Sequence, residues 1–346
     1  EDAAEIRRMD FSGAAAPEHF SRNMVQKAAA WRLASTAQPE MEQPLLARLT
    51  EFWFNHLNVY VGKGAVRPCT AHNVVNVARK HALGKFEDLL LASARHPAML
   101  LYLDQARSVA EGSRGPKGDG VARGLNENYA RELMALHSLG VDGGYSQADV
   151  RELARVLTGW TVSPDEASGF RFVPRQHDSG DKRVMGQRFP KDLAGRGERE
   201  GIDAIRMLAR HPSTAKRVST RLAQFLVADK PSPELVQRLS AVFLATQGDL
   251  RAVLRSIVEG PEFWQAENKL FKTPMDYACS VLAATQAAHS NGPPGMADRR
   301  HLVQTMGFLA NAGQPLHGWQ TPDGYKTDAA TWGLPEALTR RADYAL

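Results

Sequence analysis

Cysteine is scarce in this chain, with only Cys69 and Cys279 among 346 residues. The two cysteines are too far apart for a paired-cysteine metal motif, and two thiols do not make a disulfide framework. One long-range disulfide bond and two buried thiols are both compatible with the sequence.

Long apolar runs and blocks of basic residues are also missing. No segment approaches the ~18–20 consecutive apolar residues that a membrane helix needs, so we expect no membrane span. Lys and Arg number 43 against 38 Asp and Glu, which gives a formal net charge of +5. No basic arm of the kind that binds nucleic acid is present, so we expect no nucleic-acid partner. The small positive excess is compatible with an anionic partner such as an acidic glycan.

Helical periodicity dominates the residues that remain. Within residues 43–60, Leu45, Leu49, Phe52 and His56 fall on one helical face. Residues 126–139, 147–157 and 213–228 follow the same period. Strand-like alternation is confined to residues 169–189, where Ser179-Gly180 resembles a turn between two short runs.

This pattern predicts a mainly α protein, a large multi-helix domain with one small β-hairpin-like excursion near residues 169–189. We expect a single domain over residues 1–346. A division into two subdomains, about 1–168 and 190–346, joined by the excursion, is the alternative.

The densest polar cluster lies at residues 126–132, NENYARE. Glu127 and Arg131 are four residues apart on the predicted helix and can pair, and Asn128 and Glu132 form a second such pair at the edge of the apolar face. A carboxylate at that edge loses hydration, which raises its pKa and suits it to proton transfer near neutral pH. Glu132 is therefore the better acid–base candidate, with Glu127 as a further catalytic candidate and Asn128 as a substrate-binding candidate. The alternative is that Glu127 stabilises a helix N-terminus and pairs with Arg131.

His56 lies in the middle of the apolar stripe of its predicted helix. A histidine that faces a core needs partners for its ring nitrogens. One interpretation is a core histidine bonded to a backbone carbonyl, and the other is a substrate-binding group in a polar site shared with Glu132.

A third group of candidates surrounds the excursion. His177 is a candidate general base beside Asp178, and Lys182 is a candidate anion clamp, because functional groups concentrate on loops. An exposed polar turn explains the same residues. Trp160 lies near a glycine and is a candidate sugar-stacking platform, with a packing lid over a helix end as the alternative.

A metal site built from His56, His177 and Glu132 is a further hypothesis, since all three are ligand types that zinc accepts. Their separation along the chain gives no spacing in favour of it, so the sequence assigns no metal ligand. It also identifies no cofactor.

Several segments resemble a bacterial family known as domain of unknown function 1800. The resemblance rests on the following segments and residues: NENYAREL at 126–133, LGVDGGYSQADV at 139–150, ARVLTGW at 154–160, FWFNH at 52–56, HDSG at 177–180 with Lys182 and Gly186, KTP at 272–274, and GY at 324–325 with Trp332. They cover nearly the whole chain in the family's order.

The resemblance implies an exported bacterial protein, so we expect a periplasmic or extracellular location, although residues 1–20 contain no visible signal peptide. It also implies a partner protein encoded nearby that looks sulfatase-like. No activity comes with it, but its motifs overlap the candidate residues above, which favours one shared polar site.

These observations favour a hydrolase or lyase that acts on an extracytoplasmic sugar or anionic polymer. Glu132 would be the general acid and base, His177 a second proton carrier, Arg131 and Lys182 substrate clamps, and Trp160 a platform. The alternative is a non-catalytic binding or assembly protein that works with a separately encoded enzyme.

Overall fold

The structure is a computed structural model that describes residues 2–11, 18–113, 124–191, 195–266, 270–285 and 299–345. Helices make up 62% of it, so the prediction of a mainly α fold is confirmed. None of the helices in these ranges combines the length and apolarity required to cross a membrane.

The helices follow one another through nearly all of the chain. Their bounds are α1 Asp2–Arg7, α2 Glu18–Ala37, α3 Pro44–His56, α4 Arg67–Asn73, α5 Phe86–Arg95, α6 Pro97–Tyr102, α7 Glu127–Glu132, α8 Gln147–Val156, α9 Gly197–Ala209, α10 Pro212–Leu226, α11 Pro233–Ala245, α12 Leu250–Val258, α13 Pro261–Trp264, α14 Pro274–Thr285, α15 Arg299–Asn311, α16 Ala329–Trp332 and α17 Pro335–Ala345. Two π-helical segments, Val74–Arg79 and Leu133–His137, continue α4 and α7.

Local sequence signals set several of these helix ends. Ser146 and Asp149 form a capping box at the start of α8. Pro97 and Pro212 are the first residues of α6 and α10, a position where no backbone N–H is needed. In both cases the preceding histidine caps the new helix, because Nδ1 of His96 and of His211 accepts a backbone N–H two residues ahead, at 3.2 and 3.1 Å.

The β structure differs from the predicted single hairpin. It consists of two antiparallel pairs: β1 Trp160–Val162 with β2 Phe170–Phe172, and β3 Lys182–Val184 with β4 Gln187–Phe189. The first pair begins before the expected excursion, because Phe172 pairs back to Trp160. Ser179-Gly180 does not join two strands. The turn of the second pair is Met185-Gly186, where both residues have positive φ, as a tight hairpin turn requires.

The buried side chains form two clusters. The larger runs from Ile6 to Ile257 and includes both β pairs. The smaller joins the C-terminal half of α2 to α14 and α15, through residues such as Leu33, Met275 and Leu309. The expectation of one domain, and the alternative of two subdomains divided near residues 169–189, stay predictions. Cys69 and Cys279 are both buried free thiols, which decides between the two states that the sequence allowed.

The segment between α15 and α16 is largely irregular and lies across the helices. Asn58 on the loop after α3 donates to the carbonyls of Trp319 and Thr321 at 3.1 and 2.8 Å. The hydroxyl of Tyr102 donates to the carbonyl of Gln320 at 2.6 Å. These bonds bring Asp323 toward α7.

Candidate functional site

The helix that carries the densest polar motif is fixed at its start by Asn126. The Asn126 side chain accepts from the backbone N–H of Tyr129 at 3.1 Å and donates to the carbonyl of Leu103 at 2.7 Å. Tyr129 is buried and its hydroxyl donates to the carbonyl of Ala94 at 2.7 Å. The interpretation of this motif as a helix N-terminus therefore describes its first residues correctly.

The π-helical turn that follows changes which side chains face inward. Inserting an extra residue into the turn rotates the helix face, so His137 is buried whereas Leu136 is only partly buried. The same turn leaves two carbonyl groups without helical partners. Arg217 donates to the carbonyl of Leu136 at 3.0 Å, and Nε2 of His56 lies 3.1 Å from the carbonyl oxygen of His137.

His56 is therefore a core histidine that bonds a backbone carbonyl, the first of the two interpretations. It is 2% exposed and stacks on Phe52. Burial, together with the positive charges of Arg221 and Arg217, holds the pKa of its imidazole well below the usual value of 6.5. The ring is neutral at physiological pH and donates through Nε2. It is enclosed by its neighbours, so the structure gives no support to a role in binding substrate.

Glu132 is the candidate carboxylate whose side chain bonds no other described residue. It is partly buried, and across the described ranges no hydrogen bond or ion pair holds its side chain. Burial raises the pKa of the carboxyl group, Arg131 opposes this, and the negative charge of Asp323 raises it further. A carboxyl group of this kind holds its proton closer to neutral pH than an ordinary surface glutamate does.

Two tyrosines complete the surroundings of Glu132. Burial raises the pKa of Tyr102, and Asp323 and Glu132 add to the effect. Burial also raises the pKa of Tyr145, whose charged neighbours include Arg131, Glu132 and Arg217. We call Glu132, Asp323, Tyr102, Tyr145, Arg217 and Arg221 the Glu132 cluster.

Sequence reasoning missed most of this cluster. Asp323 comes from the irregular segment near the C-terminus, and Arg217 and Arg221 come from α10. One signal was present, since the two arginines are four residues apart beside the apolar stripe of an amphipathic helix, where like charges repel.

The other candidates on α7 form a surface network. Glu127 and Arg131 pair at 3.8 Å, as their spacing predicts, and both bond the side chain of Gln147 on α8, at 2.7 and 2.8 Å. Asn128 is exposed, and no hydrogen bond joins it to Glu132 within the ranges that the structure covers. Glu127 and Arg131 thus link two helices.

His177 and Lys182 occupy a separate, buried charge cluster with Glu200 of α9. Nε2 of His177 and Nζ of Lys182 each lie 3.0 Å from Oε2 of Glu200, and neither contact has hydrogen-bond geometry. Nδ1 of His177 lies 2.9 Å from the carbonyl oxygen of Thr158. The side chain of Lys182 is 0% exposed, so it is neither an exposed turn residue nor a clamp that a substrate reaches from solvent.

Asp178 belongs to the same structural region. Its carboxylate accepts from Arg155 at 2.7 Å and from the N–H of Gly180 at 2.8 Å. Although burial alone would raise its pKa, the hydrogen bonds from Arg155 and Gly180 and nearby positive charges leave the pKa below its ordinary value. Asp178 is therefore engaged as an ion-pair partner, which disfavours a role in proton transfer.

Trp160 is 0% exposed, so it offers no face on which a sugar can stack. Its indole ring packs against Gly201 of α9, where an added Cβ would lie 2.5 Å from the ring. Trp160 is thus a packing residue, the alternative that the sequence left open.

We expected His56, Glu132 and His177 to converge on one site, but in the structure each of them has different neighbours. His177 contacts Thr158 and Glu200, while the neighbours of Glu132 are Asp323, Arg131 and two tyrosines. Among the residues that can be described, no group of three His, Cys, Asp or Glu side chains is placed to hold a metal ion, so these three residues do not form the metal site considered above.

A comparison with protein families identifies the chain over almost its full length. The family described as "Protein of unknown function (DUF1800)" matches residues 2–346. The chain is a DUF1800 protein. Comparisons with curated proteins and with solved structures found no match.

Several motifs that suggested the family hold this DUF1800 protein together. In FWFNH, Asn55 bonds the backbone of Tyr325 and His56 bonds the carbonyl of His137. In HDSG, His177 and Asp178 anchor the β3 region. NENYAREL differs, because its Glu132 has no hydrogen bond or ion pair with any residue that the structure describes.

Proposed function

We propose that this DUF1800 protein is an acid–base enzyme, a hydrolase or lyase that acts on a sugar or anionic polymer outside the cytoplasm, with Glu132 as its proton-transferring group. The observation that carries this assignment is the state of Glu132: partly buried, without a described bonding partner, and with a raised pKa. General acids in enzymes are placed in this way so that they remain protonated near the working pH.

Asp323 supports the assignment as a second carboxylate beside Glu132. It accepts a hydrogen bond from Oγ1 of Thr321 at 2.5 Å. Hydrolysis of a glycosidic bond commonly uses one carboxyl group as acid and a second carboxylate as base or nucleophile. In this assignment Glu132 donates the proton to the leaving oxygen, and Asp323 activates water or stabilises positive charge on the sugar ring.

The tyrosines have a supporting role. Tyr145 is partly exposed and lies in the field of Glu132 and Arg217, so its hydroxyl can orient a substrate hydroxyl. His177, Asp178 and Lys182 take no part in the reaction in this assignment, because their side chains are engaged with Thr158, Arg155 and Glu200.

The test is Glu132→Gln, which keeps the size of the side chain and removes the titratable group. We expect turnover of the best polymer in a panel of neutral and acidic polysaccharides to fall by about 100-fold or more, with an unchanged melting temperature. Glu127→Gln, on the exposed side of the same helix, is the matched control and should retain activity.

Two results contradict catalysis at Glu132. One is a Glu132→Gln variant that cleaves every polymer as fast as the wild type. The other is a wild-type protein that cleaves none of the panel while Glu132→Gln lowers the melting temperature. The second result favours the non-catalytic binding or assembly role instead.

A further inference from the structure

Two arginines of the Glu132 cluster are neighbours on α10. Arg217 and Arg221 are four residues apart on α10, and both are partly buried. Residues at this spacing are neighbours on one side of a helix, with Cβ atoms about 5–6 Å apart. Two guanidinium groups therefore share one region of limited solvent access.

Neither guanidinium has a carboxylate partner within ion-pair distance in the parts of the chain that the structure describes. Arg217 uses Nε to bond the carbonyl of Leu136, and no hydrogen bond is formed by Arg221 with any described residue. Several other partly or fully buried arginines do have such a partner, although the buried Arg341 also lacks one among the described residues. These pairs are Arg32–Glu51, Arg48–Asp276, Arg79–Glu42 and Arg155–Asp178.

The backbone beside Arg217 leaves room for this side chain. Gly140 has φ +90, and a Cβ at this position would lie 3.3 Å from Cδ of Arg217. Because Gly140 has no side chain, the aliphatic part of Arg217 can lie against the backbone at the end of the π-helical turn.

The two arginines repel each other. Burial, with the added charge of Arg221, lowers the pKa of Arg217 to about 10, and burial also lowers the pKa of Arg221. Asp323 offsets part of this at Arg221 without forming an ion pair. Partly dehydrated like charges are unfavourable unless an anion compensates them.

A buried imidazole gives an independent indication of a missing polar partner. His137 is 2% exposed, and its Nε2 atom has no hydrogen-bond partner among the described residues. The ring lies within reach of the charge of Arg217. Buried polar nitrogens are nearly always paired in folded proteins, so an unpaired nitrogen near Arg217, which has no described carboxylate partner, indicates a site for a ligand or an ordered water.

We infer that Arg217 and Arg221 form a subsite for a singly charged oxyanion, the carboxylate or sulfate ester of an acidic sugar unit in the polymer on which Glu132 acts. Planar guanidinium groups bind such oxyanions through paired hydrogen bonds. A single charge fits better than a phosphate dianion, because Glu132 and Asp323 add negative charge nearby. The assignment to the substrate rests on the proposed function, whereas oxyanion binding can be measured without turnover.

The test is calorimetric titration of the full chain with three probes: trigalacturonate, glucose 6-sulfate and the neutral trisaccharide maltotriose. We expect one of the two acidic probes to bind, with an affinity that falls as ionic strength rises, and maltotriose to bind at least about tenfold more weakly. Arg217→Met and Arg221→Met keep an apolar side chain of similar length. Each should lower the affinity for the acidic probe at least about tenfold. Arg221→Lys should recover part of the loss and covers the case in which a methionine variant does not fold.

Arg238→Met is the matched control, because Arg238 on α11 has its own ion pair with Glu262 and does not belong to the Glu132 cluster; this variant should bind like the wild type. Equal binding of acidic and neutral probes, or unchanged binding in both methionine variants, overturns the subsite. Binding that depends on the arginines without cleavage of any polymer upholds the subsite and contradicts the enzyme. If Glu132→Gln binds the acidic probe but does not cleave the polymer that the wild type cleaves, both the subsite and the proposed enzyme activity are supported.

Discussion

The side-chain amide of Asn55 forms a two-way clasp with the backbone of Tyr325. Its Nδ2 donates to the carbonyl of Tyr325 and its Oδ1 accepts from the Tyr325 N–H, both at 2.8 Å, although the residues are 270 positions apart. Gly324 makes this approach feasible, since an added Cβ would lie 2.3 Å from the carbonyl oxygen of Asn55. The clasp holds the segment that carries Asp323.

Asn55→Ala should release this segment. Both backbone groups of Tyr325 would lose their buried partners, which should lower the free energy of unfolding by about 2–4 kcal/mol. Limited proteolysis should then cut residues 314–328 faster than in the wild type, and mass spectrometry identifies the cut sites. Cleavage at an unchanged rate would show that other contacts hold the segment.

Close packing of α9 on Trp160 gives a second prediction. Gly201→Ala places a Cβ 2.5 Å from the indole ring, so we expect a loss of about 1–3 kcal/mol in the free energy of unfolding. Gly307→Ala is the control, because Gly307 is exposed on α15 and a Cβ there meets nothing within 4 Å. It should stabilise the protein by about 0.5–1 kcal/mol. Equal melting temperatures for the two variants contradict the packing role of Trp160.

Because several histidines are buried, we expect the free energy of unfolding to decrease as the pH falls. Burial is the first cause of a lowered pKa at His56, His72, His96, His137 and His317, and it also lowers the pKa of the partly buried His81 and His211. The pKa of His72 falls to about 4 and that of His137 to about 3, against 6.5 in an unfolded chain. The unfolded state therefore binds more protons below pH 6.5, and stability is lost as the pH falls from there toward 4.

A histidine that stays neutral in the folded state contributes a slope of at most about 1.4 kcal/mol per pH unit in this range. Glu132 has the opposite sign, because its folded pKa is raised, but it is one group against several. Urea unfolding at a series of pH values between neutrality and pH 5 measures the slope. A free energy of unfolding that does not change over this range would mean that these rings are charged in the folded state.

The sequence predicted well wherever a feature depends on neighbouring residues. The Glu127–Arg131 pair was predicted from its spacing, and the capping box at Ser146 and the proline starts of α6 and α10 depend on equally local signals. A period of 3.6 residues per turn does not predict the π-helical turn, which buries His137 and leaves Leu136 only partly buried.

Features that depend on contacts between distant parts of the chain could not be predicted from the sequence. The burial of Lys182 depends on Glu200 from α9. The raised pKa of Glu132 depends first on its burial and then on the charge of Asp323, almost 200 residues away. Glu132 itself was identified correctly as a partly buried carboxylate at the edge of the apolar face.

The most direct test of catalysis at Glu132 is the pKa of its own carboxyl group, measured by carbon NMR titration and assigned through the signal that Glu132→Gln removes. We expect a value above the ordinary 4.5 in the wild type and a lower value in Asp323→Asn, which deletes the neighbouring negative charge. A wild-type value at or below 4.5 that Asp323→Asn leaves unchanged would contradict the account.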